Sequence, residues 1–197
     1  MARETRVSRL FGNVAHQAYV VPDFDKGLAK LIASGIGPAF VLRRIRGASR
    51  YRGERHDPLI SAAFAFSGDT LFEVLTPHDD VPSTYREFLD RHPDGGLHHI
   101  AYVSSDIPGS IGRAAAAGAE FDIVQEYIYP DSGEAYEVYM EPVTIDDPIQ
   151  VQLLLSGPLD GWFETMAAIA RDWDGSEPIR DAALLMPADM RPASEPE

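Results

Sequence analysis

Short stretches in which apolar and polar side chains alternate recur along the chain, and two of them open on histidine. "HQAYVV" starts at His16 and "HIAYVS" at His99. Alternation with a period of two predicts half-buried strands. Each run leads into a turn, Pro22 and Asp23 in one case and Ser105 and Asp106 in the other. A stretch of helical spacing follows and stops at Gly35 or Gly118. Asp suits the N-cap because its carboxylate accepts from free amides of the first turn, and Gly commonly follows a helix C-terminus. The segments 15–35 and 98–118 align without a gap at an offset of 83. The alignment matches His16 with His99, Ala18 with Ala101, Tyr19 with Tyr102 and Asp23 with Asp106.

Three more strand-like runs come after each helix. They are "AFVLRRIRG", "ISAAFAFSG" and "TLFEVLTP" in the first half, and "FDIVQEYIY", "AYEVYMEP" and "IQVQLLLSG" in the second. "SGD" at 67–69 reads as a hairpin turn. The pattern predicts an α+β fold of two βαβββ modules, joined into a cupped eight-stranded mixed sheet around an inner cavity. The modules span 12–80 and 96–157. A linker at 81–95 contains a short helix over Thr84 to Arg91. A C-terminal helical extension and tail occupy 158–197. In that extension Leu159, Trp162, Phe163, Met166, Ala170 and Trp173 share one helical face, a stripe expected to serve core packing or a subunit contact. The last dozen residues, rich in Pro, Ala and Glu, are expected to fray.

Charge narrows the function. The 197 residues include 31 acidic and 17 basic side chains, for a net charge of -14. Such a chain is a poor partner for nucleic acid, whose phosphates are held by Lys and Arg, and for an anionic membrane surface. It has no cysteine, which excludes disulfides, zinc–thiolate sites and thiol nucleophiles. The basic N-terminus lacks a signal-peptide apolar core, and no apolar run approaches bilayer-spanning length, so a cytoplasmic location is expected. Against the acidic average, Arg43, Arg44, Arg46, Arg50, Arg52 and Arg55 place six of the 17 basic residues within 13 positions. The cluster reads as a solvated strand or as a docking surface for a carboxylate or phosphate.

Strand alternation puts His16, Ala18 and Val20 on one face, with His99, Ala101 and Val103 on the matching one. His16 and His99 then stand at equivalent points on the cavity side, and His98 points away. The fourth strands compare similarly, setting Glu73 in "FEVLTP" against Gln152 in "VQLLLSGP". A carboxylate in an apolar strand is expensive to bury unless it is paired or holds a metal. Two histidines, a carboxylate and an amide from four strands suit one divalent transition metal with open positions.

These motifs resemble the vicinal oxygen chelate superfamily, the glyoxalase, bleomycin-resistance and dioxygenase fold. "GLHHIAYVSSD" is similar to the strand opening its second module, "AHQAYVVPD" to that opening the first, and "FEVLTP" to the first module's fourth strand. The likeness spans about residues 12 to 158 and is strongest to the methylmalonyl-CoA epimerase and glyoxalase I branches. It implies the metal ligands His16, Glu73, His99 and Gln152, a divalent ion such as Zn, Ni, Co, Mn or Fe, and a homodimer. In those branches the last strand supplies a Glu that also moves protons. Here that position is Gln152, and an amide cannot act as a base. The resemblance therefore implies a metal-dependent lyase or isomerase that acts on a small oxygen-chelating substrate through an enolate-like species, with Glu73 as the candidate base. The substrate could be a CoA thioester or a 2-oxo acid derivative. Arg43, Arg44 and Arg46 are candidates for an anionic tail. Tyr127 and Tyr139, with Tyr129 and Tyr136, are candidates to line the cavity. The alternatives are a non-haem iron extradiol-type dioxygenase, since two histidines and a carboxylate also form a facial triad, and a metal-free binding protein of the same fold.

Overall fold

The computed structural model describes residues 10–157, 159–186 and 191. The first repeat holds β1 (Val14–Val20), α1 (Phe24–Ala33), β2 (Ala39–Arg46), a small hairpin of β3 (Ser49–Tyr51) and β4 (Glu54–Arg55), β5 (Leu59–Ser67) and β6 (Thr70–Pro77). The linker helix α2 covers Thr84–Arg91, as the sequence predicts. The second repeat holds β7 (Gly96–Ser104), α3 (Ile107–Ala116), β8 (Phe121–Ile128), β9 (Ala135–Pro142) and β10 (Gln150–Leu155). After it come α4 (Asp160–Arg171), β11 (Ile179–Asp181) and a 3-10 turn at Ala182–Leu185.

Local chemistry explains the two repeat helices. Asp23 Oδ1 accepts from the Lys26 amide at 3.0 Å, and Asp106 Oδ1 accepts from the Gly109 amide at 2.9 Å. Each helix thus starts where its Asp satisfies a free N–H. Phe24 and Leu28 of α1 bury against Ala39, Val41, Ala63 and Ala65. Ile107 of α3 buries against Val138, Met140 and Leu153.

All described strands form one sheet in the order β11-β2-β5-β6-β1-β7-β10-β9-β8-β3-β4. At its centre β1 and β7 run antiparallel, with Gln17 opposite Ile100, His16 opposite Ala101 and Ala18 opposite His99. The last two pairs exchange under the offset of 83, so the repeats meet about a pseudo-twofold at Gln17 and Ile100. β6 lies parallel to β1, with Ala18 opposite Glu73. β10 lies parallel to β7, with Ala101 opposite Gln152. This register makes Glu73 and Gln152 counterparts.

Strict alternation breaks at two places, and they are the same place in each repeat. The β1–β7 ladder skips Ala15 and His98. Each is an extra residue just before a cavity histidine, and a bulge of this kind re-aims the side chains beside it. His98, expected to point away, is buried with its Nδ1 2.9 Å from His99 Nδ1. This corrects the reading from simple periodicity.

Inward residues of the strands, among them Ala18, Phe40, Leu42, Phe64, Leu75 and Tyr139, form the largest core cluster together with Trp162 and Met166 of α4. The α4 stripe is therefore core of its own chain. Trp162 Nε1 donates to the Ala182 carbonyl at 3.0 Å, and β11 adds parallel to β2, which ties the extension over the open side of the cup. Trp173 lies beyond the helix and donates to the Ser176 carbonyl. The β3–β4 hairpin, absent from the sequence reading, leaves β2 at one side of the sheet and pairs with β8 at the other, with Ser49 opposite Tyr127. It joins the two walls of the cup. Among the described residues no helix is long and apolar enough to cross a membrane. The expected frayed tail lies almost wholly outside the described residues.

Candidate metal centre and active site

Four strands bring His16, Glu73, His99 and Gln152 to the floor of the cup. All four are buried, none exposing more than 5% of its surface. His16 Nε2 lies 3.1 Å from Glu73 Oε2, and His99 Nε2 lies 3.5 Å from the same oxygen. One ligand atom from each of these three residues falls within 4.8 Å of the others. His16 Nε2, His99 Nε2, Glu73 Oε2 and Gln152 Oε1 are all buried without a hydrogen-bond partner. Leaving a buried polar atom unmade costs about 1–3 kcal/mol, so four in one place are an arrangement that a divalent cation would satisfy. Two imidazole nitrogens, a carboxylate oxygen and an amide oxygen suit a first-row transition metal, so these residues fit the group.

Neighbours fix the orientation of these atoms. Gln152 Nε2 donates to Glu137 Oε1 at 2.7 Å and to Tyr139 OH at 2.8 Å, which commits the amide nitrogen and leaves the oxygen free. Burial alone would push the Glu73 carboxyl up, but the adjoining imidazoles outweigh it and hold its pKa at about 2. Glu73 is therefore an ionised group suited to a cation.

The tautomer of His99 follows from a buried chain of hydrogen bonds. Gln150 Nε2 donates to the Glu141 carboxylate at 2.8 Å, so Gln150 Oε1 faces Thr84 Oγ1, 2.7 Å away. An amide oxygen only accepts, so the threonine hydroxyl donates there and must accept at its other contact, His98 Nε2 at 3.2 Å. His98 Nε2 carries the proton, and His98 Nδ1 is a bare acceptor for His99 Nδ1, 2.9 Å away. His99 consequently holds its proton on Nδ1 and turns the lone pair of Nε2 toward Glu73. Burial, helped by His99, drives the His98 pKa well down, consistent with a neutral ring. Outer partners of this kind orient metal-binding histidines. His16 has no such support, since Ala15 stands in place of His98, Leu71 replaces Gln150, and His16 Nδ1 is unpartnered.

Above this floor lies a cavity of about 180 Å³, walled by Leu42, Phe64, Tyr85, Tyr127, Tyr139 and Trp162 among others. Glu137 enters it from β9. It stands opposite Leu154, two residues from Tyr139 on the same strand face. Burial, reinforced by the Glu73 charge and opposed by the Tyr139 and Gln152 hydrogen bonds, raises its pKa to about 7. Tyr85 OH and Tyr139 OH are 2.8 Å apart, and Tyr127 OH is buried without a partner.

A model of the glyoxalase/bleomycin resistance protein/dioxygenase superfamily matches residues 15–150. The chain belongs to that superfamily. An ethylmalonyl-CoA/methylmalonyl-CoA epimerase of Cereibacter sphaeroides is 29% identical over 110 residues, covering 56% of this chain and 74% of that protein. Among solved structures, methylmalonyl-CoA epimerase from Mycobacterium tuberculosis aligns with a TM-score of 0.51 at 16% identity, over 80% of this chain and 97% of that one. A Streptomyces coelicolor methylmalonyl-CoA epimerase in complex with 2-nitronate-propionyl-CoA aligns at 0.48 and 16%, over 76% and 99%.

Within this superfamily fold the remaining candidates separate. Arg46, Tyr127 and Tyr139 line the cavity. Arg43 does not; its guanidinium binds Asp25 at 2.9 Å on the outside. The Arg44 amide donates to Ser61 Oγ within a bulge of β2. Arg46 is held by Asp79 and the Asp57 carbonyl, both at 2.7 Å. Arg50, Arg52 and Arg55 pair with Glu126, Glu87 and Asp57. The arginine cluster is thus largely matched, acid by acid. Sequence reasoning missed Glu137, although its spacing from Tyr139 puts both on one strand face.

Proposed function

We propose that this protein is a metal-assisted isomerase that moves a proton at a carbon adjacent to a carbonyl group, with Glu137 as the base. The single observation that carries this reading is the Glu137 carboxylate, buried in the cavity and hydrogen-bonded to Gln152, whose own oxygen is one of the four unpartnered ligand atoms. The epimerase relatives support it. A divalent cation held by His16, Glu73, His99 and Gln152 would act as a Lewis acid toward two substrate oxygens. Glu73, ionised and wedged between two imidazoles, would serve as a ligand, and the base role expected for it passes to Glu137. Glu137 takes the proton, and the bonding pair moves toward the carbonyl oxygen. Return of a proton to the same carbon closes the cycle with no net change of atoms, and delivery to the opposite face inverts the centre. Tyr127 would donate to a substrate oxygen. The apolar walls keep water from competing for the proton.

Two measurements test the reading. Metal content of untagged protein should be about one divalent ion per chain. In deuterated water, proton NMR should detect exchange at the carbon next to the carbonyl in a panel of 2-substituted malonyl thioesters and 2-oxo acids. Glu137→Gln should slow exchange by about 100-fold or more while retaining the metal. Full exchange in that variant, or oxygen uptake with a catechol on the iron-loaded protein, overturns the proposal.

A further inference from the structure

A second hollow, of about 380 Å³, opens beside the inner cavity between α4 and strands β5, β6 and β10. The two spaces share His16, Tyr136, Leu154, Leu159 and Phe163 in their walls. The two spaces therefore adjoin, and both touch His16 of the candidate metal centre. The other walls of the outer hollow include Phe66, Leu71, Val103 and Leu155, and the helix contributes Asp160 and Glu164 at the rim. Among the described residues, no Lys or Arg lines it. Among the described residues the inner cavity has one Lys or Arg side chain, Arg46, held by Asp79 and the Asp57 carbonyl. A smaller hollow across β2 contains Arg43 and Arg180, but Arg43 is bound to Asp25 and Asp181 lines the same space.

A nucleotide carrier brings several phosphates, which need cationic side chains or free backbone amides. The outer hollow offers two carboxylates in a chain of charge -14, and one of them, Asp160, stands on the first turn of α4 where its charge offsets the helix amides, an arrangement that disfavours phosphate and admits hydrocarbon. We propose that the substrate carries a neutral apolar tail, alkyl or aryl, which lies in this outer hollow against α4 while its two oxygens face the inner site. The proposal rests on the proton-transfer reading for the head group and adds the class of the rest of the molecule. The extension after β10 then acts as a specificity element, because α4 supplies Phe163, Glu164 and Ala167 to the tail site.

Calorimetry on the metal-loaded full chain tests this with straight-chain 2-oxo acids of four to ten carbons and with methylmalonyl-CoA. Kd should fall about three- to fourfold per added methylene over several carbons. The CoA thioester should bind at least about tenfold more weakly than the longest acid. Ala167→Trp fills the hollow from the helix side and should flatten the series. Should that variant fail to fold, the wild-type series decides alone. A flat wild-type series, including one with no measurable binding, overturns the proposal, as does tighter binding of the CoA thioester. Deuterium exchange separates the two readings. Exchange lost with the chain-length series intact removes proton transfer only, and exchange intact with a flat series removes the tail site only.

Discussion

His98 sets the protonation state of a candidate ligand without pointing at the metal position. Its side chain is 1% exposed and packs against the rings of Tyr85, Phe88, His99 and Tyr139 at 5.1–6.1 Å. His98→Ala removes the acceptor for His99 Nδ1–H and the donor to Thr84 Oγ1. Each buried group left unmade costs about 1–3 kcal/mol, and the lost ring opens a void, for a total of about 3–5 kcal/mol. In a chain of this size that lowers the melting temperature by roughly 6–20 °C. A released imidazole can also place its proton on Nε2, where it opposes a metal. Metal affinity should fall about 10- to 100-fold. His98→Asn sets an amide oxygen close to the vacated Nδ1 position, so affinity should return to within about fivefold of wild type. Competition with a chelator reads the affinity, and a thermal melt of the metal-free protein reads the fold. If His98→Ala binds metal within about twofold of wild type, the hydrogen-bond chain does not control the tautomer and the reasoning fails.

Gln152→Glu adds a charge to the candidate ligand set and should tighten metal binding, but it also sets a second carboxyl against Glu137 Oε1, 2.7 Å from the present amide nitrogen. Folding raises the Glu137 pKa from 4.5 to about 7, so its contribution to stability is full below pH 4.5 and is lost as pH rises through 7. In the metal-free variant two like charges extend that loss to higher pH, and melting temperature against pH should fall further than in wild type; parallel curves refute the pairing. Trp162→Ala removes a side chain 4% exposed and should cost about 3–5 kcal/mol, read as a lower urea midpoint, whereas a change below about 1 kcal/mol would mean α4 is not core. Tyr127→Phe deletes a buried hydroxyl that has no partner. It should leave stability unchanged or raise it by up to about 1 kcal/mol, and a clear loss in the thermal melt would show that the hydroxyl is satisfied.

The repeat, its capping aspartates and the four convergent side chains were legible because each rests on local rules or on a fixed offset. The bulges at Ala15 and His98 were not, since a pattern of alternating polarity cannot reveal an unpaired residue when its neighbours are also apolar or histidine. Glu137 escaped because "AYEVYMEP" offers Tyr, Val and Met on one face and Glu with Tyr on the other, and either face could be inward. Only the cross-strand pairing of Tyr139 with Gln152 decides. The arginine cluster looked like a docking surface because its partners, Asp25, Asp79, Glu87 and Glu126, lie far away in sequence. The hairpin at 49–55 is built from short strands whose pairing with β8 is wholly nonlocal.

Among the described residues the sheet ends in β11 at one margin and β4 at the other, strands of three and two residues. A long bare margin would offer a row of amides and carbonyls on which another chain could grow. These stubs offer almost none, and β4 presents Glu54 and Arg55, both charged and exposed. Each end piece, β11 or the β3–β4 hairpin, covers three residues of the longer strand beside it, Ala39–Val41 of β2 and Gln125–Tyr127 of β8, so the outer edges are shortened and charged rather than abolished.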